Sequence, residues 1–458
     1  VARVPTSVLW FRRDLRLGDH PALLAAMEAA GPDGTVLPLF VVDPRLWGPS
    51  GAPRREYLRR CLAELREATG GALVIRSGDP AGVVPAVARE VAAGSVHVSA
   101  DTGPYGRRRD AAVERALGEV GFVRTGSPYA VGPGLVTKRD GTPFQVFTPF
   151  ARAWRQHGRP APAPHPVDVA WCRGPASEDL PPEQDLGGTE LPPAGEEAAH
   201  AAWDSFREQR LSGYAEGRNL PAGNATSRLS PHLKYGTIHP RTLLADLAHE
   251  GDGEAVRRFT DELAWREFYA DVLWHRPETA RAYLRPELQA MGYDSGPHAE
   301  ELVRAWETGR TGFPIVDAGM RQLLDEAYVH NRVRMIVASF LVKDLHQEWT
   351  RGARYFMQHL VDGDLASNNH GWQWVAGTGT DASPYYRVFN PITQGKKFDP
   401  DGEYVKRWVP ELRGLDREHV HEPWTAPGGV PAGYPEPVVD HAHEREVALE
   451  RFERVRRA

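Results

Sequence analysis

The chain reads as an α/β domain and an all-α domain joined by a long connector. Three observations carry that reading. Short apolar runs alternate with amphipathic stretches over residues 1–125, Pro and Gly crowd 126–197, and helical periodicity replaces β-type alternation over 198–458. In the first part, Ser7–Phe11, Thr35–Val42, Ala72–Arg76, Ser95–Ser99 and Phe122–Arg124 are expected strands. Helical patterns such as Arg54–Ala68 and Pro80–Val91 fill the gaps. Strands alternating with helices of this length predict a parallel, doubly wound sheet. No G-x-G-x-x-G follows the first strand and no Walker loop appears, so the domain is Rossmann-like in shape only. The connector carries APAPHP at Ala161–Pro166 and LPP at both Leu180 and Leu191, a composition suited to a surface-draped segment. Beyond it, Gly253–His275, Gly312–Tyr328 and Asn331–Leu345 show helical spacing, within an expected helical domain of ordinary single-domain size. There are no internal repeats.

Composition narrows the function. A net charge of −6 excludes a surface coated in DNA-binding charge but leaves room for a local basic groove. Of the basic residues, 49 are Arg and six are Lys; the skew fits either bidentate phosphate recognition or a GC-rich genome. Cys61 and Cys172 match no metal or disulfide spacing and point to a reducing compartment. Neither a signal peptide nor a long apolar span is evident, so a cytoplasmic location is expected.

The most informative stretch is DGDLASNNHGWQWVAGTGT at Asp362–Thr380. It sets Trp372 and Trp374 among glycines, with Asp362, Asp364, Asn368 and Asn369 nearby. Tryptophan is costly on a Gly-rich polar segment unless its ring has a flat partner. Amides and carboxylates around it point to a polar, planar ligand, a flavin or a nucleobase. TSRLSPHLKYG at Thr226–Gly236 gathers Thr226, Ser227, Arg228 and Ser230 before Pro231, a set that serves either as a phosphate cradle at a helix start or as a plain N-cap cluster. In DELAWREFY at Asp261–Tyr269, helical spacing puts Glu262, Trp265 and Arg266 on one face. Those three can hold a base or form an ordinary Glu–Arg pair beside a half-buried Trp. In HNRVRM at His330–Met335, Asn331 and Met335 share a helix face with Arg334 adjacent, while Arg332 points elsewhere. Asn can read a base edge and Met offers an adaptable contact.

Taken in order, these strings resemble the DNA photolyase/cryptochrome family. WFRRDLRLGDHPAL at Trp10–Leu23, TGFPIVDAGMRQL at Thr311–Leu323, HNRVRMIVASFLVKDL and YYRVFNPITQGKKFD at Tyr385–Asp399 complete the set. The resemblance runs from Val8 to about Leu412. Within the family it is most similar to class I cyclobutane pyrimidine dimer photolyases, light-driven carbon–carbon lyases.

The resemblance implies FAD in the helical domain, active in its reduced anionic form. Tyr214, Thr226, Ser227, Arg228 and Ser230 match its diphosphate contacts, Leu229 falls at a further cofactor position, and Asn368 matches the residue facing the central-ring nitrogen. Arg334 and Asp362 match an ion pair beside the ring; Asp364 and Phe259 also fall at cofactor positions, Phe259 where some relatives carry Trp. His370 interrupts a more usual Asn-Asn-Gly-Gly run. Trp265 and Trp374 match the aromatic walls for a flipped dimer. Glu262, Asn331 and Met335 match contacts to the pyrimidine edges, with a raised pKa expected at Glu262. Arg332, Lys396, Lys397 and Arg407 are candidates for DNA phosphates, although GKK also suits a solvated turn. Trp372 and Trp349 match the inner members of a tryptophan relay for flavin photoreduction, and Tyr293 stands where an outer Trp is expected. A second, light-harvesting chromophore is implied in the N-terminal domain. The strings DPRLWGPSGAPRREYLRRCL and ADTGPYGRRRD are more similar to users of 8-hydroxy-5-deazaflavin than of methenyltetrahydrofolate, with Arg54, Asp101 and Lys234 as candidate contacts.

The implied substrate is UV-damaged DNA, double- or single-stranded, bound by a monomer, with no membrane partner and no metal. The alternatives are a cryptochrome-type blue-light photoreceptor and, below it, a (6-4) photolyase. Against the first stand the repair-type set Glu262, Asn331, Met335 and Trp374 and the expectation of no long tail beyond the core. Against the second stands His330-Asn331, where such relatives carry a histidine pair.

Overall fold

The computed structural model describes residues 4–380 and 386–457. Tyr385, which opens one of the resembling strings, lies outside the described residues. Five strands, β1 (Thr6–Phe11), β2 (Thr35–Val42), β3 (Val74–Ser77), β4 (Ser95–Val98) and β5 (Gly121–Arg124), form a parallel sheet of order β3-β2-β1-β4-β5. All five expected strands are present, the third beginning two residues later than expected. Every residue of β1 is buried, as in a parallel sheet covered on both faces, which is why its sequence is a near-continuous apolar run. Val8, Leu37, Val74 and Val96 pack with Val84 and Val113 of the flanking helices Pro80–Glu90 and Pro104–Leu117.

The strand order reverses between β1 and β4, the place where open α/β sheets leave a crevice at their carboxyl ends. Charged side chains of this chain meet there. Arg12 Nη1 lies 2.8 Å from Asp110 Oδ1, and Arg109 Nη2 bonds both Asp110 (2.7 Å) and Asp101 (3.1 Å). Ser99 Oγ donates to Asp14 at 2.6 Å. The string beginning WFRRD is therefore largely a buried polar staple.

Compactness divides the chain into two units. The first comprises the described residues up to Asp185 with Pro192–Ser212 and Ser227–Pro277; the second comprises Leu186–Leu191, Gly213–Thr226 and the described residues from Glu278 onward. These limits differ from the compositional ones at 125 and 197, and the first unit's own contacts give the reason. The connector contains a helix, Phe147–His157, whose Trp154 donates to Glu267 at 2.6 Å. Ala130 and Val131 backbone N–H groups also donate to that buried carboxylate. Arg266 holds the Pro128 and Leu233 carbonyls at 2.9 and 3.0 Å. At Gly236, with φ of 69°, a Cβ would lie 1.9 Å from the Arg13 carbonyl oxygen, so only glycine admits that approach. Helix Glu254–His275 is thus tied to the connector and to the Leu233 carbonyl, while Gly236 approaches the segment after β1. Composition marks where helices begin, whereas packing decides where the unit ends.

The second unit is helical around one core that includes Trp306, Val333, Phe356, Trp349 and Trp372. Pro314–Glu326 falls inside the expected 312–328 span. The expected helix 331–345 is instead Asn331–Ser339 followed by a π-helical turn at Phe340–Asp344. That turn holds two buried charged residues: Asp344 meets His441 Nδ1 at 2.5 Å, and Lys343 donates to the Arg387 carbonyl. No helix among the described residues is long and apolar enough to cross a membrane.

Candidate functional site

In the first unit, helix Glu254–His275 carries Phe259, Glu262 and Trp265. Phe259 is buried against Trp203 (5.5 Å between ring centroids) and Phe206 (4.9 Å) of helix Glu196–Gln209. Trp265 is half-buried and stacks on Phe147, with centroids 3.7 Å apart and planes 8° from parallel. Phe147 was missed by sequence reasoning. A signal existed, because Phe144, Phe147, Phe150 and Trp154 form an aromatic stripe at helical spacing inside a segment read as connector.

The Thr226–Ser230 hydroxyl cluster leads into a short helix, Ser230–Tyr235, whose cap position is Leu229 and lacks a side-chain cap. Leu229 is buried, Ser227 Oγ accepts from its N–H at 3.4 Å, and Arg228 has a φ of 52°. The helix does not use these hydroxyls in the ordinary N-cap manner.

Of the antenna candidates, Asp101 accepts from Arg109 at 3.1 Å and from the Gly103 N–H at 3.1 Å. Burial raises its pKa, but the Arg109, Arg12 and Arg13 charges outweigh that and leave it below its ordinary value. Arg54 receives the Tyr235 hydroxyl on its carbonyl at 2.9 Å, which ties it to the residue after Lys234.

In the second unit, Asp362–Thr380 is mostly helical. Leu365–Ala376 forms a helix capped by Asp364, whose carboxylate accepts from the Ser367 N–H at 3.1 Å, and ended by left-handed Gly377. Two residues apart on a helix, Trp372 and Trp374 project in different directions. Trp372 is buried; Trp374 is partly exposed, with the Arg387 guanidinium 5.8 Å from its ring centroid. His370 is buried between Thr279 Oγ1 (2.9 Å) and the Ala366 carbonyl (2.8 Å), and burial pushes its pKa down to about 4. It is a neutral packing residue there.

Arg334 Nη2 lies 2.8 Å from Asp362 Oδ2, and its Nε donates to the Val329 carbonyl at 2.7 Å. The other carboxylate oxygen, Asp362 Oδ1, is buried without a hydrogen-bond partner among the described residues. Asn368 spends its amide nitrogen on the Ala353 carbonyl (3.1 Å) and Asn369 Oδ1 (2.9 Å). Because a carbonyl can only accept, the nitrogen must face Ala353, which leaves Asn368 Oδ1 as an acceptor. The second unit therefore offers two acceptor oxygens for ring N–H groups.

Asn331 opens helix Asn331–Ser339, and Arg332 behaves differently from expectation. Its Nη1 reaches Met335 Sδ at 3.7 Å, its Nη2 holds Asn219 Oδ1 at 2.8 Å, and its guanidinium lies 4.4 Å from the Phe398 ring centroid. Lys396 is paired with Glu422, Lys397 lies 5.3 Å from the Phe398 ring centroid, and Arg407 reaches the Ala222 carbonyl at 3.4 Å. Tyr214 is buried. Trp349 is 1% exposed and its Nε1 has no partner among the described residues. Trp372 sits against helix Trp349–His359 where Gly352 makes room, since a Cβ there would lie 2.1 Å from Trp372 Cη2.

Residues 7–167 match the DNA photolyase family model, and 259–454 match the FAD binding domain of DNA photolyase. A deoxyribodipyrimidine photo-lyase of Halobacterium salinarum is 41% identical over 485 aligned positions, covering 98% of this chain and 99% of that protein. The chain belongs to the DNA photolyase/cryptochrome family. The solved structure of a bacterial class III photolyase from Agrobacterium tumefaciens matches this photolyase-family chain with a TM-score of 0.93 and 38% identity, covering 100% and 99% of the two chains. An archaeal photolyase from Sulfolobus tokodaii, solved with two FAD molecules, matches with a TM-score of 0.83 and 29% identity over 98% and 100%. The FAD-binding region identifies FAD as the cofactor, and the unpartnered acceptors Asp362 Oδ1 and Asn368 Oδ1 fit its hydrogen-bonding ring.

Proposed function

We propose that the chain repairs cyclobutane pyrimidine dimers in DNA in a light-dependent reaction. The observation that carries this reading is similarity over 98% of the chain to a deoxyribodipyrimidine photo-lyase; Glu262, Trp265, Asn331, Met335 and Trp374 would be the repair-type residues. When bound, reduced FAD would supply the light-driven electron-transfer chemistry that dimer splitting needs. The protein's residues bind, orient and exclude water. Tyr214, Thr226, Ser227, Arg228 and Ser230 would hold the diphosphate, with Leu229 at a further cofactor position, while Asp362, Arg334 and Asn368 would hold the ring. The Asn368 oxygen, fixed as an acceptor by the Ala353 carbonyl, would accept from a protonated central-ring nitrogen, which the reduced anionic form carries.

The lesion must leave the duplex, which costs a few kcal/mol, less for damaged bases. Stacking on Trp265 and Trp374 returns about 1–3 kcal/mol per base. Glu262, Asn331 and Met335 would meet the pyrimidine edges, with Arg332, Lys397 and Arg407 on nearby phosphates; Lys396, already paired with Glu422, contributes less. A second chromophore near Arg54, Asp101 and Lys234, of the 8-hydroxy-5-deazaflavin type, and a cytoplasmic monomer complete the reading.

The deciding experiment irradiates the reduced protein with a thymine-dimer oligonucleotide and measures restored thymines; intact dimers bound to fully reduced protein would refute the proposal. Glu262→Ala should slow repair while FAD content stays at parental level; lost FAD with normal repair per flavin would show that its role is different. Phe147 backs Trp265, and such ring pairs contribute about 0.5–1.5 kcal/mol beyond area burial. Phe147→Ala should therefore weaken dimer binding severalfold in an anisotropy titration with FAD content unchanged. Parental affinity would show that Trp265 needs no such support.

A further inference from the structure

Sequence places Tyr293 where the outer relay tryptophan is expected, yet one more ring stands between it and Trp349. That place belongs to Tyr283. The Tyr283 ring meets Trp349 edge-on, centroids 5.9 Å apart and planes at 74°, and the Tyr283 hydroxyl donates to the Tyr293 hydroxyl at 3.0 Å. Burial falls along the series: Trp349 is 1% exposed, Tyr283 5%, and Tyr293 sits partly exposed at the edge of the same core.

We propose that Tyr283 carries the electron between Tyr293 and Trp349, so that the relay ends in a tyrosyl radical at Tyr293. This rests on the photolyase reading above. The oxidant is the Trp349 radical cation that light-driven flavin reduction generates. Tyr283 gives one electron to Trp349, restoring it, and takes one from Tyr293. Tyr293 becomes a neutral radical by losing one electron inward and its own phenolic proton to water. The bond geometry permits this: Tyr293 accepts from Tyr283, so its own O–H is directed away from Tyr283. Both phenols stay protonated at rest, since burial raises the pKa of each and the Glu348 carboxylate adds to the effect. Proton loss therefore accompanies oxidation rather than preceding it. Once the proton is in solvent, return of the electron requires its recapture, which lengthens the life of the reduced flavin.

The test is flash absorption on the FAD-loaded protein. The parent should show tryptophan radical decaying into tyrosyl radical. In Tyr283→Phe and in Tyr293→Phe, tryptophan radical should persist as the last species and recombine, and steady-state photoreduction should fall severalfold. Chemically reduced samples of both variants should repair dimers at the parental rate. Absence of tyrosyl radical in the parent, or parental photoreduction in Tyr283→Phe, would overturn the proposal. If Tyr283→Phe fails to hold FAD, Tyr293→Phe decides alone, because it leaves the buried Tyr283 ring intact. Failure of the photolyase reading looks different: the chemically reduced parent would bind no FAD or repair nothing.

Discussion

Asp362→Ala is expected to yield a protein that has lost its FAD and several kcal/mol of stability. The Asp362 side chain is 3% exposed and holds Arg334 at 2.8 Å. Burial works against the Arg334 charge, and Asp362 more than offsets it, leaving the guanidinium pKa above its ordinary value. Removing the carboxylate strands that charge, and breaking one side of a buried pair typically costs about 3–5 kcal/mol. Against a total stability of roughly 5–15 kcal/mol, that is a large fraction. The same substitution deletes Oδ1, the buried acceptor left unpartnered among the described residues. Urea unfolding would read the first loss, and the flavin-to-protein absorbance ratio the second. Asp362→Asn keeps the shape and one acceptor but not the charge, so it should fall between parent and alanine variant in both measurements. An alanine variant with parental urea midpoint and full FAD would remove the ion pair from the account.

Much of the fold was legible because its signals are local. The strands announce themselves as apolar runs closed by Gly, Pro or Asp, and Thr35–Val42 was placed to the residue. Helix Asn331–Ser339 was legible, but its π-helical continuation was not. The wider turn keeps the same helix-like composition, and the demands of buried Lys343 and Asp344 come from residues far along the chain. The stretch around Trp372 and Trp374 drew notice for its aromatic and amide content, yet its Gly-rich look hid a helix with an Asp cap and a Gly stop. Residue types in the candidate site could be read from strings. Their orientation could not: which end of the Asn368 amide is free depends on the Ala353 carbonyl, 15 residues away. Phe147 and Tyr283 stayed hidden for the same reason, since each matters through a ring distant in sequence.

Trp372→Phe should nearly abolish photoreduction while leaving repair by chemically reduced protein at the parental rate. Trp372 is 3% exposed and is packed edge-on by Phe356 at 5.0 Å and Trp306 at 6.2 Å. Its six-membered ring lies over Gly352, one turn from Trp349 on the same helix. Phenylalanine fills most of that space but is far harder to oxidise, so the substitution removes the electron donor with a modest packing change. Trp306 also touches Trp372, but it sits wholly buried with its Nε1 tied to the Val337 carbonyl at 3.0 Å, whereas Trp349 stands one turn from Gly352 on the helix that Trp372 lies against. Electrons refilling the flavin should therefore cross Trp372 toward Trp349, whereas the electron used in repair has no reason to pass that way. Measuring both activities on one preparation separates these routes: loss of both would mean lost FAD, and equal photoreduction in variant and parent would refute the relay.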